Sequence, residues 1–263
     1  QDVARPLPRT IITGSGGGVY AEALRGVSGI DKVAQFESSS GLAGHAAEAA
    51  PWAATATAAD LGGVTPGEAD LVVSGLALHR ANDPVGALVQ ARLALKPDGL
   101  LLGAMLRGQT LHELRACLAE AEIAVEGGLS PRVAPMADLR DIGALLQRAG
   151  FAMPVTDIDR VVVDYADPLA LMRDLRAMGE TNTLAERRRG FTRRETLLRA
   201  AALYAENFAN PDGRIRATFE IIHFSGWSPG PDQPVPKRPG SATTRLADAL
   251  GVDEKPAGEK TGR

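Results

Sequence analysis

The pattern of apolar and polar positions along the chain predicts a parallel α/β sheet. Two continuous apolar runs, residues 70–76 and 99–105, flank a segment with helical spacing at residues 85–95. A strand, a helix and a strand of this length form a βαβ unit, whose two strands are parallel and joined by a right-handed crossover. Parallel strands are buried on both faces, which explains runs that are apolar throughout rather than alternating. Residues 68–105 are therefore expected at the centre of the fold.

The same pattern extends this unit into about seven strands and at least six helices. Further strands are predicted at residues 9–13, 31–37, 52–58, 151–164 and 216–227, and further helices at residues 19–24, 41–50, 110–126, 138–149, 168–178 and 193–208. We expect Thr110 to cap the helix 110–126, with Glu113 completing a capping box. The order, five β/α units and then an extended final pair, predicts one domain over residues 1–250. A short helix is expected at residues 241–250, and residues 251–263 are expected to be disordered because they have little to bury.

Composition and charge narrow the functional class. The chain has 263 residues, of which 44% are hydrophobic and 23% charged, enough for a sizeable core without disulfides or structural metal. Its net charge of −3 argues against general binding to nucleic acids or anionic membranes. Cys117 is the only cysteine and is expected to be a packing residue in a reducing compartment. No stretch approaches the roughly 20 apolar residues of a membrane span. The amino terminus, which lacks Met, is expected to be processed or truncated.

Candidate cofactor residues follow the first strands of the predicted sheet. The run Gly14-Ser-Gly-Gly-Gly18 joins the first strand to a helix, an arrangement that lets a backbone approach a nucleotide cofactor closely. Glu37 ends the second strand, where an acid in such folds bonds the ribose hydroxyls. Asp60 opens the polar loop 61–67, from which a carboxylate could accept a hydrogen bond from an adenine amino group. Each candidate has a simpler interpretation. The glycine run could be an ordinary turn, Glu37 a surface acid that ends a strand, and Asp60 an acid in a loop.

Candidate catalytic residues lie just past the carboxyl end of the strand 70–76, where ligands bind in open α/β sheets. These are His79, Asn82 and Asp83. His79 is the general-base candidate, since imidazole has an unperturbed pKa of about 6.5; packing at a strand end is the alternative. The four histidines form no metal-binding pair by spacing, so no metal is expected. Neither a nucleophile elbow nor a P-loop lysine is present in the sequence.

Several segments carry a family resemblance. Residues 71–105 resemble the DLVVS…LHW.ND…L…LKPDG…GA block of class I S-adenosylmethionine-dependent methyltransferases, with Arg80 in place of the usual Trp. More specifically, five segments are similar to the methyltransferase-like assembly factors of respiratory complex I, found in mitochondria and alphaproteobacteria: residues 103–115, 121–131, 141–151, 171–182 and 239–243. The malonyl-carrier-protein methyltransferase of biotin synthesis is a relative of that family. The match covers roughly residues 68–250.

This resemblance implies a fold, a cofactor and a substrate. The fold would be Rossmann-like, with a seven-stranded, mostly parallel sheet whose last strand, residues 216–227, is antiparallel. S-adenosylmethionine would be bound by Gly14, Gly16 and Gly18, with Glu37 on the ribose, Asp60 near adenine, and His79, Asn82 and Asp83 at the mouth of the pocket. The substrate would be a protein, a complex I subunit, whose arginine the best-described family member hydroxylates. The compartment would be the mitochondrial matrix or an alphaproteobacterial cytoplasm. Family members usually carry an acid before the first glycine, in the order Asp-Leu-Gly, whereas this chain has Ile12-Thr13-Gly14.

The sequence leaves three functions open. The leading hypothesis is an S-adenosylmethionine-dependent enzyme that modifies a protein, by methylation or hydroxylation, during complex I assembly. The alternatives are a non-catalytic assembly or scaffold factor and a carrier-protein or small-molecule carboxyl methyltransferase. Methyl transfer from a sulfonium needs alignment more than acid–base groups, so the lack of a sharp catalytic motif does not separate these hypotheses. Four polar residues after the sheet, Arg173, Arg176, Glu180 and Asn182, could form a substrate or partner surface, or simply a solvated helix face.

Overall fold

The sheet seen in the computed structural model, which describes residues 5–58, 60–133, 139–182 and 184–231, has seven strands. They are β1 (Arg9–Thr13), β2 (Lys32–Glu37), β3 (Ala54–Thr57), β4 (Ala69–Gly75), β5 (Leu95–Leu106), β6 (Ala152–Tyr165) and β7 (Ile215–Trp227). Their spatial order is β3-β2-β1-β4-β5-β7-β6. The pairs from β3 to β5 are parallel, and β7 runs antiparallel to both of its neighbours. The predicted Rossmann-like sheet with an antiparallel last strand is confirmed.

The helices largely follow the predicted spacing. They are α1 (Val19–Leu24), α2 (Ser40–Ala49), α3 (Pro84–Ala94), α4 (His112–Glu126), α5 (Leu139–Arg148), α6 (Pro168–Ala177) and α7 (Arg194–Phe208), with a 3₁₀ turn at Leu78–Arg80. Two of them begin with the same device, an aspartate cap followed by proline. Asp83 accepts a hydrogen bond from the Gly86 N–H, and Asp167 accepts one from the Ala170 N–H. Proline suits the first helical position because its missing N–H would have no partner there.

Consecutive residues of β1 show how the core is divided between the two faces of the sheet. Ile11 packs with the cluster formed by β4, β5, α3 and α5, while Ile12 packs with Ala21 of α1 and Val33 of β2. This alternation is the period of a strand whose two faces are both covered, as the apolar runs predict. A separate apolar cluster joins α4, α6 and α7 to the first residues of β7, around the buried Tyr204.

The predicted capping box of α4 is wrong. The Thr110 hydroxyl donates to the Glu220 carbonyl at 3.1 Å and accepts from the Glu220 N–H at 3.0 Å, so it binds β7 and not the helix. The helix instead begins at His112, after Leu111 in the left-handed conformation. Glu113 is buried and accepts hydrogen bonds from the Thr218 N–H and hydroxyl. Tertiary partners on β7 have displaced the local pairing that the sequence spacing favours.

One strand boundary also differs from its prediction. The sequence leaves residues 96–98 between the predicted helix 85–95 and the predicted strand 99–105, but β5 begins at Leu95. The register between β4 and β5 shifts from Ala69↔Leu95 to Leu71↔Leu100, which accommodates the turn residues inside the strand. The predicted helix 241–250, the tail 251–263 and the family segment 239–243 lie outside the described residues. The predicted domain limit at residue 250 therefore stays a prediction.

Candidate functional site

A cavity of about 300 Å³ lies at the carboxyl ends of β1, β2 and β4. Four of the sequence-predicted residues line it: Gly14, Glu37, Asp60 and Asn82. Each follows or ends a different strand, from β1 to β4 in chain order. The sheet order reverses between β1 and β4, and a crevice at such a switch point is where open α/β sheets bind ligands. The fold thus brings together residues that are up to 68 positions apart.

Gly14 is required by both its backbone and its neighbours. Its φ is +66°, and a Cβ built there would lie 2.6 Å from the Cβ of Ala77 and 2.7 Å from the carbonyl oxygen of Gly75. Those distances are too short for any side chain. The backbone of the loop therefore lies directly against the end of β4, at the edge of the cavity.

The other two predicted glycines have a different setting. Gly16 and Gly18 do not belong to the lining of this cavity. Gly18 has a φ of +98°, and a Cβ there would lie 2.9 Å from the Cβ of Ala49, so it permits close packing of α1 on α2. Gly16 has a φ of +60° and lies beside the ring of Tyr20. Their contact with a cofactor stays a prediction.

Glu37 is the buried acid of the site. It is 2% exposed, and its Oε1 accepts a 2.7 Å hydrogen bond from the hydroxyl of Ser15, which is itself buried. A carboxylate has several acceptor positions on its two oxygens, so one bond from Ser15 does not exhaust its capacity. Ser15 thereby ties the glycine loop to the last residue of β2.

Asp60 is held toward the cavity by its own turn. Its Oδ1 accepts a 2.9 Å hydrogen bond from the Gly62 N–H, and the neighbouring Leu61 N–H donates to Oε1 of Gln90 on α3 at 3.0 Å. Gln90 lines the cavity as well. The carboxylate is therefore held by a backbone hydrogen bond within its own turn, and Gln90 holds the next residue of the same turn.

The three predicted catalytic residues have three different settings. Asn82 lines the cavity, whereas Asp83 uses its carboxylate to cap α3. The His79 side chain is 3% exposed, and its Nε2 lies 3.2 Å from Oε2 of Glu180. Its Nδ1 is buried and has no hydrogen-bond partner among the residues that the structure describes. The catalytic roles of all three stay predictions.

A second bond strengthens the link between this part of the site and the end of α6. Arg80, which lines the cavity, donates from Nη1 to the carbonyl of Gly179 at 3.0 Å. Together with the His79–Glu180 pair, it ties the chain after α6 to the wall of the cavity. Glu180, taken from the sequence as a possible surface residue, is therefore part of the surroundings of the site.

Sequence reasoning missed most of the lining. Beside the four residues already named, the cavity is lined by polar groups and by apolar side chains, including Thr13, Phe36, Ser38, Val72, Ser74, Leu78, Gln90 and Leu101. Ser38 and Ser74 lie beside predicted strand ends, so proximity to those ends could have identified them. Gln90 gives no such signal, because it lies within α3 and away from every strand end.

The described part of the chain gives little support for a metal site, a nucleophilic cysteine or a membrane span. No group of three or more His, Cys, Asp or Glu residues in the described ranges is placed to hold a metal ion. Burial, followed by the nearby Glu120 and Glu113 carboxylates, raises the pKa of the Cys117 thiol to about 11, so it is protonated at neutral pH and is not a ready nucleophile. Within the same ranges, every helix is too short or too polar to cross a bilayer.

Comparisons with known proteins indicate similarity to methyltransferase-domain proteins. A methyltransferase domain family matches residues 12–103, which include all four predicted residues of the cavity. The mitochondrial arginine-hydroxylase NDUFAF5 of Danio rerio is 47% identical over 179 residues, covering 68% of this chain and 56% of that protein. The malonyl-[acyl-carrier protein] O-methyltransferase of Laribacter hongkongensis is 39% identical over 163 residues, covering 62% and 52%. The chain thus spans about half the length of these curated relatives.

The structural comparison agrees at the level of the fold. A putative methyltransferase from Bacillus halodurans superposes with a TM-score of 0.59 at 15% sequence identity, covering 87% of this chain and 95% of that one. At so low an identity, the superposition speaks for the arrangement of the sheet and helices. Function has to be argued from the site.

Proposed function

We propose that this chain is an S-adenosylmethionine-dependent enzyme acting on a protein. It belongs to the methyltransferase-domain family, together with the NDUFAF5 arginine-hydroxylases and the malonyl-[acyl-carrier protein] O-methyltransferases. The substrate is a subunit of respiratory complex I, modified during assembly. One observation carries the proposal: residues predicted for the glycine loop, the ribose, the adenine and the pocket mouth line a single cavity.

The residues present suit an adenosyl cofactor. Gly14 offers backbone without a side chain at the cavity edge, Glu37 offers a buried carboxylate, and Asp60 offers a second carboxylate at the rim. Glu37 would accept from the ribose hydroxyls through Oε2, since Oε1 is engaged by Ser15. Asp60 would accept from the adenine amino group. Apolar residues such as Val72, Leu78 and Leu101 would enclose the base.

The catalytic demand on the protein is small. When bound, the cofactor supplies a methyl group that its sulfonium centre already activates. The chain then has to hold the acceptor in line and keep water out, which converts binding energy into rate. Asn82, whose amide lines the cavity, would orient the acceptor through hydrogen bonds. His79 would hold the Gly179–Glu180 end of α6 against the mouth, and Asp83 would fix α3 behind it.

Sequence identity to the relatives favours a complex I subunit over a carrier protein as the substrate. The identity is higher, and extends over more of the chain, with the arginine-hydroxylase than with the carrier-protein methyltransferase. Methyl transfer to a carrier protein is the second candidate, and it rests on that 39% identity. A scaffold without cofactor binding is the third. We place the protein in the mitochondrial matrix or in the cytoplasm of a bacterium, following the compartments of these relatives.

Mass spectrometry of the reaction products tests this proposal. The full chain is incubated with S-adenosylmethionine and either purified complex I subunits or malonyl-carrier protein. We expect a methylated arginine in a complex I subunit, with S-adenosylhomocysteine as the second product. At a cofactor concentration below saturation, Glu37→Ala should reduce the modification by at least about tenfold, whereas Glu48→Ala, an exposed acid on α2, should leave it unchanged. Modification of the carrier protein alone would favour the second candidate, and no product with either substrate would favour the scaffold.

A further inference from the structure

The strand β6 forms a long, open edge of the sheet. It has 14 residues and pairs with β7 on one side, while its other side has no strand partner within the described ranges. The opposite edge of the sheet, β3, has only four residues. A row of unpaired N–H and C=O groups along an exposed strand is a template for pairing with another strand. Such an edge needs either a partner or features that prevent pairing.

The first half of this edge, residues 152–158, is protected against pairing. Pro154 has no N–H, and Met153 has a φ of +48° at the point where the register with β7 shifts, as in a β-bulge. The Ile158 N–H is occupied by its neighbour Asp157, whose Oδ1 accepts from it at 2.8 Å. Proline, bulges and charged side chains are the means by which natural edge strands avoid one another.

The second half of the edge, residues 159–165, lacks these features. It contains no proline, and its register with β7 continues without a shift. Val161 and Val162 are 38% and 52% exposed. An apolar side chain gains free energy when it is covered, so these valines favour a contact that buries them. The Arg160 side chain, also exposed, has no ion pair or hydrogen bond within the described ranges.

The backbone groups that face away from β7 follow from the alternation of an antiparallel strand, in which successive residues turn their N–H and C=O to opposite sides. The Ile158 N–H and the Asp164 carbonyl are both bound by side chains, those of Asp157 and Arg214, as expected for groups on the side away from β7. Both positions are even-numbered. The outward groups of the second half therefore belong to residues 160, 162 and 164.

The second half is complementary to itself when two copies run antiparallel. The run Arg160-Val-Val-Val-Asp164 has a cation at one end, an anion at the other and valines between them. With Val162 opposite Val162 of a second copy, each Arg160 lies opposite the Asp164 of the other chain, and the remaining valines face one another. Opposite charges and β-branched side chains stabilise such cross-strand pairs. Centring the pair on Arg160 would instead oppose two arginines, and centring it on Asp159 would oppose two aspartates, so charge selects the register.

We infer that the protein forms a two-fold symmetric dimer in which residues 159–165 of two β6 strands pair antiparallel and join two sheets into one. The three outward positions provide about six hydrogen bonds between the chains. Each β6 has a single free edge, so the contact is isologous and closes at two copies. An extended peptide of another protein can add to an edge in the same way, but the self-complementary charges specify a second copy. None of the residues that line the cofactor cavity belongs to β6, so the inference does not rest on the proposed enzymatic activity.

Sedimentation velocity of the full chain, over a micromolar to millimolar concentration series, tests the inference. We expect a reversible equilibrium between monomer and dimer. Arg160→Asp places a carboxylate opposite Asp164 at both ends of the contact, so it should weaken dimerisation at least about tenfold. Asp164→Arg should do the same by opposing two pairs of arginines. Arg199→Asp, the same charge reversal at an exposed position on α7, should leave dimerisation unchanged.

Mixing the two β6 charge variants distinguishes repulsion from misfolding. A chain with Arg160→Asp and a chain with Asp164→Arg have opposite charges at both ends of the contact. The mixture should therefore form a heterodimer, although each variant alone dimerises weakly. Variants that dimerise like the wild type, a mixture that forms no heterodimer, or a wild type that stays monomeric at every concentration would overturn the inference.

A disulfide cross-link reports the register. The Cα atoms of a hydrogen-bonded antiparallel pair lie about 5.5 Å apart, which a disulfide spans. Val162→Cys should therefore form an interchain disulfide on mild oxidation, whereas Val155→Cys, 61% exposed in the protected half of β6, should not. The native Cys117 is buried and does not interfere. Dimerisation without a cross-link in Val162→Cys would also overturn the inference, in favour of a contact elsewhere on the surface.

Discussion

The Ser15 hydroxyl donates a 2.7 Å hydrogen bond to Oε1 of Glu37; both side chains are buried, and Glu37 lines the cavity. This bond joins the glycine loop after β1 to the last residue of β2. The bond therefore links the loop to the sheet, and it orients the carboxylate that we propose binds the ribose.

Replacing Ser15 should loosen the loop and the acid together. Ser15→Ala leaves a buried carboxylate oxygen without its donor, so we expect a loss of about 1–3 kcal/mol in the free energy of unfolding. Affinity for S-adenosylmethionine should also fall. Urea denaturation and calorimetry measure the two effects. Ser28→Ala, at an exposed position, is the control; equal behaviour of both variants would mean that the bond does not brace the loop.

Alanine substitutions at Gly14 and Gly26 distinguish the cost of backbone strain from the cost of steric collision. Both have a positive φ, +66° and +75°, but a Cβ at Gly26 meets nothing within 4 Å, whereas one at Gly14 collides with Ala77 and Gly75. Gly26→Ala should cost about 1 kcal/mol of stability through strain alone, and Gly14→Ala should cost clearly more and remove cofactor binding. Thermal unfolding and binding of both variants provide the comparison. Wild-type affinity in Gly14→Ala would show that the loop does not line the binding site.

Glu122 predicts a pH dependence of stability. Burial acts to raise its pKa, but hydrogen bonds from Arg132 and Ser130 outweigh burial and lower the pKa to about 2. Because the folded pKa lies below the unfolded value of about 4.3, Glu122 stabilises the fold above that value, and this contribution disappears as the pH falls toward 2. Glu122→Gln should lose about 2–3 kcal/mol at pH 7 and progressively less at lower pH.

Urea denaturation of wild type and Glu122→Gln between pH 7 and pH 3 measures this difference. Glu48→Gln, an exposed acid on α2, should show no comparable difference at any pH. A gap between wild type and Glu122→Gln that stays constant with pH would contradict the assigned ion pair with Arg132.

Asp83 and Asp167 test whether a predicted catalytic residue is a helix cap. The two carboxylates make the same cap, at α3 and at α6, each followed by proline. Asp83→Ala and Asp167→Ala should each cost about 1 kcal/mol of stability. If Asp83 serves only as a cap, both variants should keep the same residual activity. A specific loss of turnover in Asp83→Ala at equal stability would restore its catalytic role.

The predictable part of the molecule depends on local pattern. Glu37 and Asn82 could be identified because they lie at strand ends, and the fold of a parallel sheet brings strand ends together. The start of α4 could not be identified in this way, because the Thr110 hydroxyl donates to the carbonyl of Glu220, which lies far along the chain. The His79–Glu180 pair joins residues 101 positions apart, which no spacing rule connects.

Calorimetric titration of the full chain with S-adenosylmethionine tests the central claim most directly. The account predicts saturable binding at one site for the wild type and for Glu48→Ala. It predicts a loss of at least about tenfold in affinity for Glu37→Ala, the energy of one hydrogen bond to a charged group. Folded wild-type protein that releases no heat, or Glu37→Ala that binds as tightly as the wild type, would contradict the assignment of this cavity to the cofactor.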